Sequence, residues 1–334
     1  MILITVDPKT QINTIQSALN LILEENEEPV TIYIKKGFYK EKIKITHPNI
    51  TLVGEDKDET IISFDDYAKK VHKDGKEYNT FRTYTVMVLA NNVSFFNLTI
   101  QNTSGYGEEV GQAVALHVNA DKFSAFNCNF YARQDTIFNG PLPYDLIKRY
   151  EGFLLDDERT PQGKFRQYFD HCHIKGDVDF IFGCGTCIFD NCTITSLKRD
   201  NSDVGYVCAP AHPKDIKYGH IFLSCEFKSE NCPPNSVYLA RPWRDYGMAT
   251  FINCLLGPHI KEEGFDKWND SNRDQTARFY EYKAINQDEN LRVKWAKQLS
   301  SVELVDYKME NIFGDWNPLS HRNEVYETFK SSQI

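Results

Sequence analysis

The chain has 334 residues, of which 41% are hydrophobic and 25% charged, and it carries a net charge of −9. That apolar content builds a sizeable core. The acidic balance, with no cluster of Lys and Arg, excludes a phosphate-binding surface, and no window reaches the length and apolarity of a membrane span, so neither nucleic acid nor membrane is expected as a partner.

In chain order, "MILITVDPKT" lacks the basic region and apolar run of a secretory leader. The nine cysteines are odd in number and show no spacing of a small disulfide scaffold. Both observations point to reduced thiols and a cytoplasmic protein, or a secreted one if a leader has been trimmed. The stretch "TIQSALNLILEE" places Ile15, Ala18, Leu19, Ile22 and Leu23 at helical spacing, which predicts an amphipathic helix within residues 10–28, capped by Asn13 or Thr14. "VTIYIKKGFYKEKIKIT" and "NITLVGEDKDETIIS" read as short strands broken by turns.

Further along, five cysteines share one local pattern: an apolar or aromatic residue, a polar residue, Cys, any residue, then an apolar one. The copies are "AFNCNF" (Cys128), "FDHCHI" (Cys172), "FDNCTI" (Cys192), "FLSCEF" (Cys225) and "FINCLL" (Cys254), and "FFNLTI" is a sixth with Leu98 in the Cys position. Their separations run from 20 to 44 residues, too irregular for a propeller or a leucine-rich repeat. A parallel β-helix accepts such variation, because each coil is one turn and insertions go into the loops. Small apolar thiols stack in its ladders without needing partners. "CGTC" at Cys184 and Cys187 lacks a second pair at zinc-site spacing and a βαβ setting, so neither a metal nor a redox role is expected. Residues 139–166 read as a long loop inserted between two coils. The chain after about residue 285, including "NLRVKWAKQL", reads as a helix-like tail packed on the coils of a single domain.

Four stretches hold polar groups that a plain core would not choose: Gln112 in "EVGQAVAL", Gln134 and Asp135 in "ARQDTIF", Asp179 in "GDVDFIFG", and Arg241 with Trp243 in "LARPWRDYG". Val178, Phe180 and Phe182 alternate like the inward face of a strand, and Asp179 interrupts them. Alone, each group has a structural reading: a Gln satisfied by backbone, an Asp accepting hydrogen bonds, an Arg stacked on an aromatic ring. Stacked coils bring all four stretches to one outer face. There, two carboxylates in unlike environments can divide acid and nucleophile roles. Two amides can stabilise an oxyanion, and a guanidinium can hold one carboxylate ionised.

These stretches, with "YIKKGFYKEKI", "NITLVGED" and "GQAVALHV", resemble the pectin methylesterases (pectinesterases) of carbohydrate esterase family 8, in the family's order and from about residue 4 to about residue 298. The resemblance implies a right-handed, single-stranded parallel β-helix of the pectin lyase type. It implies hydrolysis of galacturonate methyl esters in homogalacturonan or oligogalacturonides, with release of methanol. Asp179 matches the nucleophile, Asp135 the general acid that becomes the base, Gln134 and Gln112 the transition-state amides, and Arg241 the partner of the nucleophile. Trp243 matches a sugar-contacting aromatic and Thr80 a substrate-contacting threonine, with Phe81 beside it as a further groove aromatic. Ala240 stands where many members have Gly. Arg133 stands where plant members carry Tyr, and it could pair with a galacturonate carboxylate. A monomer with no metal or organic cofactor is expected. The alternatives are a polysaccharide lyase, a polygalacturonase, or a pectin-binding β-helix without catalysis.

Overall fold

A computed structural model describes residues 2–159 and 163–331. The chain divides into two compact units, residues 1–298 and 299–334. In the first unit three sheets of eleven, seven and eight strands are filled in rotation, so that each coil gives one strand to each sheet and neighbours in a sheet are about three strands apart in sequence. Every strand ladder in these sheets is parallel. The result is a right-handed parallel β-helix.

The repeated cysteines sit one after another at the same corner. Phe126, Asp170, Asp190, Leu223 and Ile252 pair in register, and each Cys lies two residues further on. The residue between turns the corner in the left-handed region: Asn127 (φ 51°), His171 (52°), Asn191 (50°), Ser224 (50°) and Asn253 (54°), with Asn97 (52°) in the sixth copy. That conformation costs an ordinary L-residue roughly 1–2 kcal/mol and is best tolerated by Asn and other short polar side chains, which explains the polar position of the motif. The corner N–H groups donate to carbonyls of the following coil, as in Asn127 to Asp170 O at 2.9 Å and Ser224 to Ile252 O at 2.9 Å. Four of the thiols face carbonyls of the coil before, such as Cys225 Sγ to Phe189 O at 3.2 Å. Next to them Phe169, Phe189, Phe222 and Phe251 stack face to face, with successive centroids 4.8 Å apart. The ladder thus repeats at the strand spacing of about 4.8 Å.

The N-terminal helix α1 is Ile15–Leu19 only. Thr14 caps it, and the Glu41 carboxylate accepts from the free N–H groups of Ile15 and Gln16. Ile15, Ala18 and Leu19 are buried, but Leu23 is 65% exposed, so the apolar spacing overstates the helix by its last turn. The inserted loop is built. After the short α2, Gly107–Val110, it holds α3, Tyr144–Arg149, and α4, Asp156–Arg159, while its residues 160–162 lie outside the described residues. Glu158 pairs with Lys44, and the Tyr150 hydroxyl donates to Asn79 Oδ1 at 2.8 Å.

Residues 285–298 depart from the helix-like reading. They contain a short 3₁₀ turn, Glu289–Leu291, and the strand Lys297–Gln298, which pairs in parallel with Tyr280 and Glu281 and so continues the first sheet. Trp295 packs on Phe265 and Phe279 there. The second unit holds a 3₁₀ segment, Glu303–Tyr307, and two helices, α5, Met309–Phe313, and α6, Pro318–Ser331.

Candidate active site

The seven-stranded sheet carries the site. Its adjacent strands include Leu116–Val118, Ile137–Asn139, Val178–Gly183, Gly205–Pro210 and Val237–Ala240. Gln112 precedes the first of these, Gln134 and Asp135 the second, Asp179 lies in the third, and Arg241 follows the last. Backbone bonds fix the order: Ala113 N to Gln134 O (3.1 Å), Asp135 N to Val178 O (3.1 Å) and Arg241 N to Cys208 O (2.9 Å).

The placement of Asp179 differs from simple alternation. Val178 pairs with Tyr206 but Ile181 with Cys208, so Asp179 and Phe180 oppose the single residue Val207. This is a β-bulge, with Asp179 at φ 48°. One extra residue reverses the facing of all that follow. Phe180 and Ile181 both enter the core of the helix, whereas Phe182 joins an outer cluster with Phe81, Phe138 and Trp243. The expected inward row of Val178, Phe180 and Phe182 is therefore broken, and the bulge is what turns the carboxylate outward.

There Arg241 grips Asp179 with two parallel bonds, Nε to Oδ1 at 2.8 Å and Nη2 to Oδ2 at 2.7 Å. The guanidinium is sandwiched between the rings of Tyr206 (3.7 Å) and Trp268 (4.2 Å), which fix its plane. Asp135, also left-handed at φ 66°, is 7% exposed. Burial first, and then the Asp179 charge, push its carboxyl well above the usual carboxylate range, with Arg241 opposing in part. One carboxylate is thus held by a cation and its neighbour is driven toward the protonated acid.

Both groups open into a cleft of about 530 Å³ whose lining includes Gln112, Gln134, Asp135, Asp179, Arg241, Trp243, Thr80 and Phe81. Gln134 passes close to Gly107 in α2, where a Cβ would stand 2.5 Å from Gln134 Oε1. Thr80 opens a 3₁₀ turn capped by Asn79. Phe81 is 2% exposed and packs against Phe138, Tyr150 and Phe182, so it forms the base of the wall and not an open sugar platform. Arg133 does not join the lining. Its guanidinium lies over Tyr106 at 3.8 Å, donates to Lys198 O at 3.0 Å and stands 3.6 Å from Asp177, so its expected role toward a substrate carboxylate is withdrawn. Among the described residues no group of three or more His, Cys, Asp or Glu is arranged to hold a metal.

Several lining residues escaped the sequence. Leu146 and Arg149 come from α3 and Tyr150 from the residue that caps its C-terminus, Lys69 and Glu77 from the loop before Thr80, and Trp268 from a left-handed turn beyond Arg241. Arg244 also escaped, although it directly follows Trp243 and was the readable one.

Fold and cleft together define a class: a parallel β-helix whose outward cleft is equipped for carboxylate-driven ester chemistry. The Pectinesterase family profile matches residues 1–141 and 162–314. A pectinesterase of Petunia integrifolia is 33% identical over 285 residues, 83% of this chain and 68% of that protein. Among solved structures, a pectin methylesterase from Yersinia enterocolitica aligns with a TM-score of 0.76 and 29% identity, covering 91% of this chain and 99% of that one. A pectin methylesterase solved in complex with a hexasaccharide aligns at 0.79 and 26%, covering 94% and 98%. The chain belongs to the pectinesterase family, a family of carboxylic ester hydrolases.

Proposed function

We propose that the protein hydrolyses the methyl ester of galacturonate residues in pectin or methylated oligogalacturonides, with Asp179 as nucleophile and Asp135 as general acid and base. The observation that carries this reading is the pairing of unlike carboxylates: Asp179 bound bidentate by Arg241, and Asp135 raised by burial beside it. A lyase calls for a basic proton abstractor. A glycosidase needs its two carboxylates placed on either side of a glycosidic bond. An acid next to a cation-held carboxylate instead suits acyl transfer.

In the first step an Asp179 oxygen attacks the C6 carbonyl of the ester. The amide N–H groups of Gln112 and Gln134 stabilise the oxyanion. Asp135 gives its proton to the methoxy oxygen, the C–O bond breaks and methanol leaves. This forms a mixed anhydride between Asp179 and the galacturonate. Asp135, now a carboxylate, takes a proton from water, and the hydroxide equivalent attacks the anhydride. The bond between the C6 carbonyl and the Asp179 oxygen breaks, Asp179 leaves as the carboxylate and Asp135 keeps the proton taken from water, while the sugar departs as the carboxylic acid and gives its proton to solvent. Trp243 and Thr80 are assigned to sugar contact from the cleft wall, and the enzyme is taken to act as a monomer. Eight of the nine cysteines are buried free thiols, with the ninth half-buried, which favours a reducing, cytoplasmic setting.

The test assays three products from one methylated oligogalacturonide: methanol, unsaturated ends and new reducing ends. Methanol alone is expected. Unsaturated ends or new reducing ends without methanol would point to a lyase or a glycosidase. Binding with no product would leave a carbohydrate-binding protein.

A further inference from the structure

Arg133 directly precedes Gln134 but takes no part in the cleft wall. Its contacts lie behind that wall. The guanidinium stacks on Tyr106, donates to Lys198 O and stands beside Asp177. Asp177 is almost fully buried, and burial pushes its carboxyl up to about 6, with Arg133 as the largest opposing influence. A buried carboxylate holds its cation close. Ring, carbonyl and carboxylate together fix the plane of the guanidinium.

Tyr106 connects this group to the cleft. It stands immediately before α2, and its carbonyl accepts from Glu109 N and Val110 N, both at 3.0 Å. The next residue, Gly107, meets Gln134: a Cβ there would stand 2.5 Å from Oε1 and 3.0 Å from Cβ of the glutamine. The two ends of α2 are held differently. Its far half is tied to the loop before Thr80, through Lys69 N to Val110 O at 3.2 Å and through Lys69 Nζ to the carbonyls of Glu108 and Glu109, both at 2.9 Å. Its start has no side-chain cap and follows Gly105 at φ 118°. Two arginines hold that end. Arg133 covers Tyr106, and Arg199 Nε donates to Glu108 Oε1 at 2.8 Å. Both are anchored on the segment after the strand Thr193–Leu197, Arg133 through Lys198 O and Arg199 through Nη1 to Val204 O at 2.8 Å. Of the two, Arg133 acts on the residue next to Gly107, and so next to the contact with Gln134. A glutamine side chain has several free torsions, and an oxyanion donor is worth most when it is already aimed.

We propose that Arg133 is a positioning residue: by clamping Tyr106 it holds the start of α2 against the Gln134 side chain and keeps that amide aimed at the oxyanion. This rests on the ester-hydrolase reading of the cleft. It gives the arginine that stands behind the wall a task in the reaction without any contact with substrate.

The test measures methanol release from methylated hexagalacturonate by wild type, Arg133→Ala, Arg133→Lys and Tyr106→Ala, each with Gln134 intact and again with Gln134→Ala. With Gln134 intact, Arg133→Ala and Tyr106→Ala should each lose about tenfold in kcat with KM kept, less than the roughly 100-fold or more of deleting an oxyanion donor. Arg133→Lys should recover part of the loss, since lysine keeps the charge beside Asp177 but not the flat stack. With Gln134→Ala the same changes should cost under about twofold, because the group they aim is gone. Tyr106→Ala leaves the pair of Arg133 and Asp177 in place, so it closes the cycle alone if Arg133→Ala does not fold. No loss, a loss carried by KM, or equal losses with and without Gln134 overturn the proposal. A second readout needs no turnover: the side-chain amide signals of Gln134 in protein labelled with 15N-glutamine, identified by their disappearance in Gln134→Ala. They should be sharp in wild type and broadened in Arg133→Ala and Tyr106→Ala, and unchanged signals overturn the proposal. If wild type releases no methanol, the ester-hydrolase reading fails, and these signals still decide whether Arg133 holds Gln134.

Discussion

Arg241→Ala isolates the physical heart of the site. The change removes two short bonds to Asp179, at 2.8 and 2.7 Å, from a pair whose side chains are only 13% and 11% exposed. It also empties the slot between Tyr206 and Trp268. Removing one member of a buried pair typically costs about 3–5 kcal/mol, because the other charge is left uncompensated. Asp179 lines an open cleft that admits water, so the lower end, about 3 kcal/mol, is expected here. Loss of the cation should release the rotamer of the Asp179 carboxylate, which the two bonds now fix. Turnover should then fall by roughly 100-fold, the scale of a misplaced reacting group. The assay is urea unfolding of wild type, both single Ala variants and the double variant, alongside methanol release. The double variant should be more stable than Arg241→Ala alone, because the stranded charge is gone. If Arg241→Ala costs under about 1 kcal/mol and keeps turnover within about tenfold, the pair does not hold the nucleophile and the reasoning fails.

Three further outcomes follow from the same geometry. Asp135 has a raised pKa in the folded state, so above its unfolded value the native protein binds more protons than the unfolded chain, and stability is lost as pH rises toward the folded value. Asp135→Asn should therefore melt higher than wild type at neutral pH, with the gain vanishing below about pH 4, while methanol release drops by at least about 100-fold; a melting gain that is independent of pH would contradict the assignment. Gly107→Ala would place a Cβ 2.5 Å from Gln134 Oε1 and should lower kcat with little change in KM, as read from steady-state methanol release. Asn127 turns its corner at φ 51°, so Asn127→Ala should cost about 1 kcal/mol and Asn127→Gly less, as measured by denaturant midpoints; equal costs would remove the backbone argument.

The stacked coils could be read from the sequence because a ladder demands the same residue type at the same corner. The motif repeats through Cys128, Cys172, Cys192, Cys225 and Cys254, and the polar residue before each Cys marks the left-handed turn. Asp135 and Asp179 stood out as candidates for a related reason: a carboxylate at a strand carries a cost that an apolar repeat does not ask for, while their separate roles came from the family resemblance. The bulge at Asp179 was hidden, since inserting one residue leaves the apolar pattern looking regular while reversing its facing. Trp268 and Arg149 were hidden because nothing local marks them. Each reaches the cleft through the path of a loop, and loop paths depend on long-range anchors such as Asp145 with Arg244 and Tyr150 with Asn79. Arg133 misled because its position in the sequence, beside Gln134, said nothing about which neighbour its long side chain would reach.

Asp179 is proposed as the nucleophile that opens the ester, and methanol release by purified, folded Asp179→Ala decides whether it is. Release should fall to the level of the uncatalysed reaction at every pH where wild type works. Release within about tenfold of wild type would contradict it, because mutation of an essential nucleophile removes orders of magnitude more.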